Sequence, residues 1–90
     1  MANTKSALKR MRSNMRKRLR NRMILSRTRT ALRRAREALA AGQPDEALIR
    51  EAISQLDRAV AKGVIHRNNA ARRKSRLMKR LNALLAAQVG

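Results

Sequence analysis

The stretch AGQPDEALIREAISQLDRAVAKG, residues 41–63, contains both turns of the predicted fold. Gly42 suits the left-handed position that follows a helix, and Pro44, which two acidic residues follow, suits the first position of the next helix. Gly63 is expected to end that second helix in the same way. The stretch therefore predicts a middle helix with one helix before it and one after it.

Apolar residues within and after this stretch follow helical spacing. The middle helix has an apolar stripe at i, i+4, i+7 and i+11, formed by Ile49, Ile53, Leu56 and Val60. The third helix has an apolar face formed by Ala70, Leu77, Leu81, Leu84 and Leu85. Asn68 or Asn69 is expected to cap its start, because an Asn side chain accepts from the exposed amides there. Since Ala, Leu, Arg and Lys fill the rest and no alternating β pattern occurs, the sequence predicts an all-α, three-helix bundle.

The first helix, expected over about residues 8 to 40, carries two apolar stripes on opposite sides. The first stripe consists of Leu8, Met11, Met15, Leu19 and Met23, and the second of Ile24, Thr28, Ala31, Leu32, Ala35 and Leu39. This helix would be about 50 Å long against about 26 Å for each of the others, so its first half must overhang them. We expect a single domain, residues 1–90, with a basic overhanging extension at residues 1–23 and a helical bundle at residues 24–90.

Charge is distributed in blocks. The 90 residues carry 24 Lys and Arg against 5 Asp and Glu, a net charge of +19. Residues 1–36 sum to +14, residues 37–57 to −4 and residues 58–90 to +9. If the charged residues served only solubility, positive and negative ones would be interspersed along the chain. Blocks of basic residues instead attract polyanions. The first and third helices are therefore predicted to bind an anionic partner.

The basic residues favour a nucleic acid. Arg outnumbers Lys by 18 to 6, and the planar guanidinium group matches phosphate better than a point charge does. Phe, Tyr and Trp are absent, which disfavours base-stacking recognition and leaves contacts to backbone and shape. The candidate residues on the overhang are Lys9, Arg10, Arg12, Arg16, Lys17, Arg18, Arg20 and Arg22. Those on the third helix are Arg72, Arg73, Arg76, Lys79 and Arg80, and short polar side chains such as Ser6 and Asn68 supplement both sets.

Other classes of protein fit less well. His66 is the only histidine, there is no cysteine, and no Gly-rich phosphate loop occurs, so no enzyme, metal site, cofactor or small-molecule substrate is predicted. His66 is interpreted as a hydrogen-bonding loop residue or a phosphate contact. Membrane association is disfavoured because Trp and Phe are missing and no segment approaches a spanning length or a signal peptide, so a soluble intracellular protein is expected. No homo-oligomer is expected. Composition leaves DNA and RNA both open, including a nucleoid-type DNA-packaging protein.

Two stretches resemble a known family. The opening MANTKSALKRMR, residues 1–12, and KGVIHRNNAARRKSRL, residues 62–77, resemble the start and the signature turn of the ribosomal protein S20 family of the bacterial small subunit. The resemblance implies a cytoplasmic structural protein that binds 16S ribosomal RNA directly and early in assembly, with neighbouring ribosomal proteins as further partners. Carried over by position, it implies RNA contacts at Lys5, Ser6, Lys9, Arg10, Arg12, Lys62, His66, Arg67, Arg72, Arg73, Lys74 and Arg76. Asn69 departs from the Ala that is usual in the family.

Overall fold

The computed structural model describes residues 2–89 and contains three helices in that range. These are α1 (Ala2–Ala40), α2 (Glu46–Ala61) and α3 (Arg67–Val89). The predicted all-α class and the long first helix are confirmed. Helix α1 begins at Ala2 rather than near Leu8, because the intervening residues include good helix formers and neither Gly nor Pro interrupts them.

Both turns use the same glycine motif. Gly42 (φ 74°) and Gly63 (φ 72°) lie in the left-handed region of backbone space. In each turn the next residue donates its N–H to the carbonyl five residues back, at 2.9 Å. This is the hydrogen bond of a Schellman motif, which satisfies a carbonyl at the end of a helix. The predicted glycine stops are therefore confirmed at both positions.

The helix starts differ from the sequence expectation. Pro44 precedes α2 instead of opening it, because Asp45 is the N-cap and its carboxylate accepts from the amides two and three residues later at 3.1 and 3.3 Å. At α3, the Nδ1 of His66 accepts from the amide of Asn68 at 3.1 Å. The imidazole therefore does what a capping oxygen usually does, and the expected cap at Asn68 or Asn69 was wrong.

The core consists of small and branched aliphatic residues from all three helices. Its buried cluster contains Ala31, Leu32, Ala35, Leu39, Ile49, Ala52, Leu56, Ala70, Leu77 and Leu81. The second stripe of α1 faces the bundle, as do the predicted faces of α2 and α3. Ile53, Val60 and Leu84 pack against the cluster while partly buried, whereas Leu85 lies at its edge with 36% of its surface exposed.

One polar side chain lies within this core. Thr28 is 1% exposed, and its hydroxyl donates to the carbonyl of Ile24 at 2.8 Å. The same oxygen lies 3.4 Å from the carbonyl of Gln55 on α2. The buried hydroxyl is thus satisfied, and it adds a polar contact between α1 and the C-terminal half of α2.

The three helices alternate in direction. The contact between Thr28 and Gln55 places the end of α2 beside the middle of α1. At the other end, the side-chain amide of Gln88 on α3 donates to the carbonyl of Gly42 at 3.2 Å. Helix α3 therefore runs parallel to α1, and the α2–α3 turn lies at the bundle end from which α1 projects.

The N-terminal half of α1 extends beyond this bundle. Every side chain from residue 4 to residue 20 is exposed, and partial burial first occurs at Asn21. The molecule measures 74 × 21 × 14 Å with a radius of gyration of 18.4 Å, against about 12 Å for a compact domain of this length. The predicted overhang is part of the observed shape.

Candidate nucleic-acid interface

A groove of about 350 Å³ follows the contact between α1 and α3. Its floor includes Leu32 and Leu77, which are each 2% exposed. Five arginines and one asparagine complete the lining: Arg36, Asn69, Arg72, Arg73, Arg76 and Arg80. No acidic side chain lines the groove, so its guanidinium groups present concentrated positive charge to any anion that enters.

A side-chain hydrogen bond orients one of these arginines. The Nε of Arg73 donates to Oδ1 of Asn69 at 2.9 Å, and Arg73 is itself half-buried. This hydrogen bond uses the Nε–H group, which is one of the five N–H donors of the guanidinium. The four N–H groups on the two terminal nitrogens remain available to a ligand. The restricted side chain loses less conformational freedom when it binds phosphate. Asn69 thus positions an arginine of the groove.

Arg36 is the residue of this groove that sequence reasoning missed. Arg36 comes four positions after the core residue Leu32. It therefore lies about one helical turn beyond Leu32, at the edge of the buried stripe. That spacing places Arg36 at the edge of the bundle-facing stripe, but it does not say which helix lies beside that edge. The charge pattern did not select it, because it lies within a block of fourteen basic residues that share no other distinguishing feature.

The overhang of α1 forms a second basic surface. Its predicted contact residues are all exposed: Lys5, Ser6, Lys9, Arg10, Arg12, Arg16, Lys17 and Arg20. The ion pairs found within residues 2–89 involve Glu37, Glu46 and Asp57, and none includes a basic residue of this segment. The charges of the overhang are therefore balanced by no acidic side chain in the described part of the chain.

The α2–α3 turn joins these two surfaces. Lys62, His66, Arg67 and Asn68 are exposed there, at the bundle end from which the overhang projects. The structure therefore brings the predicted residues of the turn toward the base of the overhang. His66 acts as a hydrogen-bonding residue, as one interpretation of the sequence proposed, because it caps α3.

Of the predicted residues from Arg72 to Arg80, two lie outside the groove. Lys79 is exposed on α3 but does not belong to the groove lining. Lys74 lies on the α2 side of α3, where its ammonium group forms an ion pair with Asp57. The structure thus separates Lys74 from Arg73 and Arg76, although the three lie within four consecutive positions of the sequence.

Neither a metal site nor a membrane span is found in the described residues. Between residues 2 and 89, no group of three or more His, Asp or Glu side chains is arranged to hold a metal ion. Over the same range, no helix combines the length and the apolar character needed to cross a bilayer.

Comparison with known proteins gives consistent matches over almost the whole chain. The family described as "Ribosomal protein S20" matches residues 2–82. The "Small ribosomal subunit protein bS20" of Roseiflexus sp. is 59% identical over 87 residues, which cover 97% of each chain. The proteins of the same description from Thermomicrobium roseum and Thermobifida fusca are 57% and 53% identical, over 99% and 98% of this chain and 92% and 98% of their own lengths.

Proposed function

The chain belongs to the ribosomal protein S20 family, and from that premise we propose that it binds small-subunit ribosomal RNA directly as a structural protein of the small ribosomal subunit. As a member of this family it acts within the small subunit in the bacterial cytoplasm and is not an enzyme. Family membership also removes the alternative of a DNA-packaging protein. Neighbouring ribosomal proteins are further partners.

The groove between α1 and α3 receives a stretch of RNA backbone. Guanidinium groups come from both helices, with Arg36 on one side and Arg76 on the other, so a phosphodiester strand in the groove meets donors from two directions. Such paired, charge-assisted hydrogen bonds are the strong ones in phosphate recognition. They fix the register of the protein on RNA without reading its sequence.

The overhang reaches RNA that the bundle cannot reach. Its exposed basic side chains surround most of the helix, so it can neutralise phosphates of more than one strand when it lies between them. We treat residues 1–23 as the inserted extension and residues 24–90 as the bundle that anchors it. Together they hold neighbouring RNA helices close by reducing the repulsion between their phosphates, which is the role of an assembly strut.

The proposed RNA-contacting residues combine both surfaces and the turn between them. They are Lys5, Ser6, Lys9, Arg10, Arg12, Arg16, Lys17, Arg20, Lys62, His66, Arg67, Asn68, Arg72, Arg73, Lys74, Arg76, Lys79 and Arg80, to which the groove adds Arg36. Lys74 has a partner in Asp57, so it is expected to contribute less than the others.

A single observation supports the proposal most strongly: five arginines from two helices line one groove that contains no acidic side chain. Competition binding at fixed salt tests it. The protein is bound to a folded fragment of small-subunit RNA, and unlabelled RNA or duplex DNA is added as competitor. We expect the RNA fragment to compete at far lower concentration. Equal competition by duplex DNA would contradict specific RNA binding.

A further inference from the structure

The first apolar stripe of α1 is exposed along its whole length. Leu8, Met11, Met15, Leu19 and Met23 are between 50% and 59% exposed. They are the most exposed of the large apolar side chains in the described residues, since Met78 and Leu85 on α3 are 40% and 36% exposed. Contiguous exposed apolar surface commonly marks a site of interaction.

The other helices of the protein cannot cover this stripe. At 100° per residue, it lies on the side of α1 opposite to the second stripe, which begins at Ile24 and faces the bundle. Helices α2 and α3 therefore pack on the far side, and every side chain from residue 4 to residue 20 is exposed. Any cover for the stripe therefore comes from outside the chain.

Charged residues on both edges of the stripe restrict what that partner is. Arg12 and Arg16 border one edge and Arg18 and Arg22 border the other, and no acidic residue precedes Glu37. A protein partner would need an apolar strip between two dense rows of acidic side chains. A nucleic-acid groove supplies the two rows of negative charge, because its floor lies between two rows of phosphates.

We propose that the stripe of Leu8, Met11, Met15, Leu19 and Met23 docks into the minor groove of double-stranded RNA, an inference that rests on the RNA-binding function proposed above. The minor groove of A-form RNA is wide and shallow and displays 2′-hydroxyls and base edges, so one face of a helix can approach its floor while flanking arginines reach the phosphates. The minor groove of B-form DNA is about 6 Å wide and cannot admit a helix of about 10–12 Å diameter. For binding in a minor groove, the stripe therefore favours RNA over DNA through shape, because only the RNA groove is wide enough.

Replacing part of the stripe by glutamine tests this proposal. Met15→Gln and Leu19→Gln are combined in the full-length protein, because glutamine keeps a high helix propensity and adds no charge. Met78→Gln is the matched control, since it makes the same exchange at an exposed methionine on the side of α3 away from the groove arginines. Binding is measured to a fully paired RNA duplex and to a DNA duplex of the same sequence.

We expect the double variant to bind the RNA duplex about tenfold more weakly, from the loss of partly buried apolar surface, and to bind the DNA duplex as the unchanged protein does. The salt dependence of RNA binding should stay the same, because no phosphate contact is removed. Unchanged RNA affinity, or an equal loss on RNA and DNA, would overturn the proposal. Such results would leave RNA binding itself intact, whereas failure of the unchanged protein to bind RNA would contradict the proposed function.

Oxidation of methionine gives a second measurement that does not depend on a substitution. Met11, Met15 and Met23 should be oxidised to sulfoxides by dilute peroxide in the free protein and be protected when the RNA duplex is bound, while Met78 should react equally in both states. Protection of the three residues by self-association in the absence of RNA, detected by light scattering, would instead assign the stripe to a second copy of the chain. That outcome, or oxidation that RNA does not slow, would refute the minor-groove site.

Discussion

The carboxylate of Asp57 on α2 forms an ion pair with the ammonium group of Lys74 on α3, and this is the one ion pair that joins two helices within residues 2–89. Both side chains are partly exposed, at 58% and 34%, so the pair contributes at most about 1 kcal/mol to folding. Its larger consequence is for binding. The pair lies at the boundary between the acidic middle helix and the basic third helix, and it offsets the charge of Lys74.

We therefore predict that Lys74→Gln weakens binding to a folded fragment of small-subunit RNA much less than Arg76→Gln does. Arg76 lines the groove and has no acidic neighbour in that lining, so its loss should weaken binding about tenfold, the value of one charge-assisted hydrogen bond. Lys74→Gln should change the dissociation constant less than threefold. Both affinities are measured by titration at one salt concentration. Comparable losses of affinity for the two variants would show that Lys74 leaves Asp57 and contacts RNA in the complex.

The salt dependence of binding should report the phosphates held in the groove. If about eight phosphates are neutralised in total, affinity falls by several powers of ten over a tenfold rise in salt. Combining Arg36→Gln with Arg76→Gln should reduce the slope of log affinity against log salt by about two, because each lost phosphate contact lowers it by about one. The matched control is Arg58→Gln, an exposed arginine on α2. A slope that the double variant leaves unchanged would exclude the groove from phosphate binding.

The stability of the bundle should depend on a thin core. Leu81 is 7% exposed within the buried cluster, whereas Leu85 on the same helix is 36% exposed. Leu81→Ala should lower the free energy of unfolding by about 2–5 kcal/mol, a large part of the stability of so small a domain. Leu85→Ala should cost less than about 1 kcal/mol. Urea denaturation followed by circular dichroism measures both values, and equal effects would place Leu81 outside the core.

Features of the fold that depend on local backbone geometry could be predicted from the sequence. Gly42 and Gly63 identified both turns, because a left-handed C′ position strongly favours glycine. Of the two stripes of α1, helix length decided that the one beginning at Ile24 faces the bundle. The turns depend on the backbone conformation of a few neighbouring residues, and the choice of stripe depends only on the lengths of the three helices.

Features that depend on contacts between helices could not be predicted. The ion pair of Lys74 with Asp57 and the place of Arg36 in the groove both require the packing of α3 against its neighbours. The cap of α3 was missed for another reason. Histidine is an uncommon capping residue, so the two asparagines that follow it were the natural expectation. The apolar stripe that begins at Leu8 was identified on the predicted overhang, and the structure gives the exposure of its side chains as 50% to 59%.

The cap itself can be tested by substitution of His66. His66→Ala removes the acceptor for the amide of Asn68 and should lower the free energy of unfolding by about 0.5–2 kcal/mol. His66→Asn should restore most of that loss, because an asparagine side chain accepts the same hydrogen bond. Urea denaturation of the three proteins gives the comparison. If the alanine and asparagine variants were equally unstable, the imidazole would be acting through a contact other than the cap.

The overhang should be only partly helical until RNA binds. From residue 4 to residue 20 its side chains pack against nothing in the protein, and like charges face each other at spacings of four, as at Arg12, Arg16 and Arg20. Each such pair opposes the helix by roughly 0.2–0.5 kcal/mol, and the tertiary packing that supplies most helical stability in proteins is missing here. Circular dichroism of the free protein at low salt should therefore show less helix than the structure contains. Adding small-subunit RNA should restore it, because phosphates replace the missing counter-charge, and salt that displaces the RNA should reverse the gain. Full helicity in the free protein at low salt would mean that the overhang is rigid before it meets RNA, so that binding would not include the cost of ordering it.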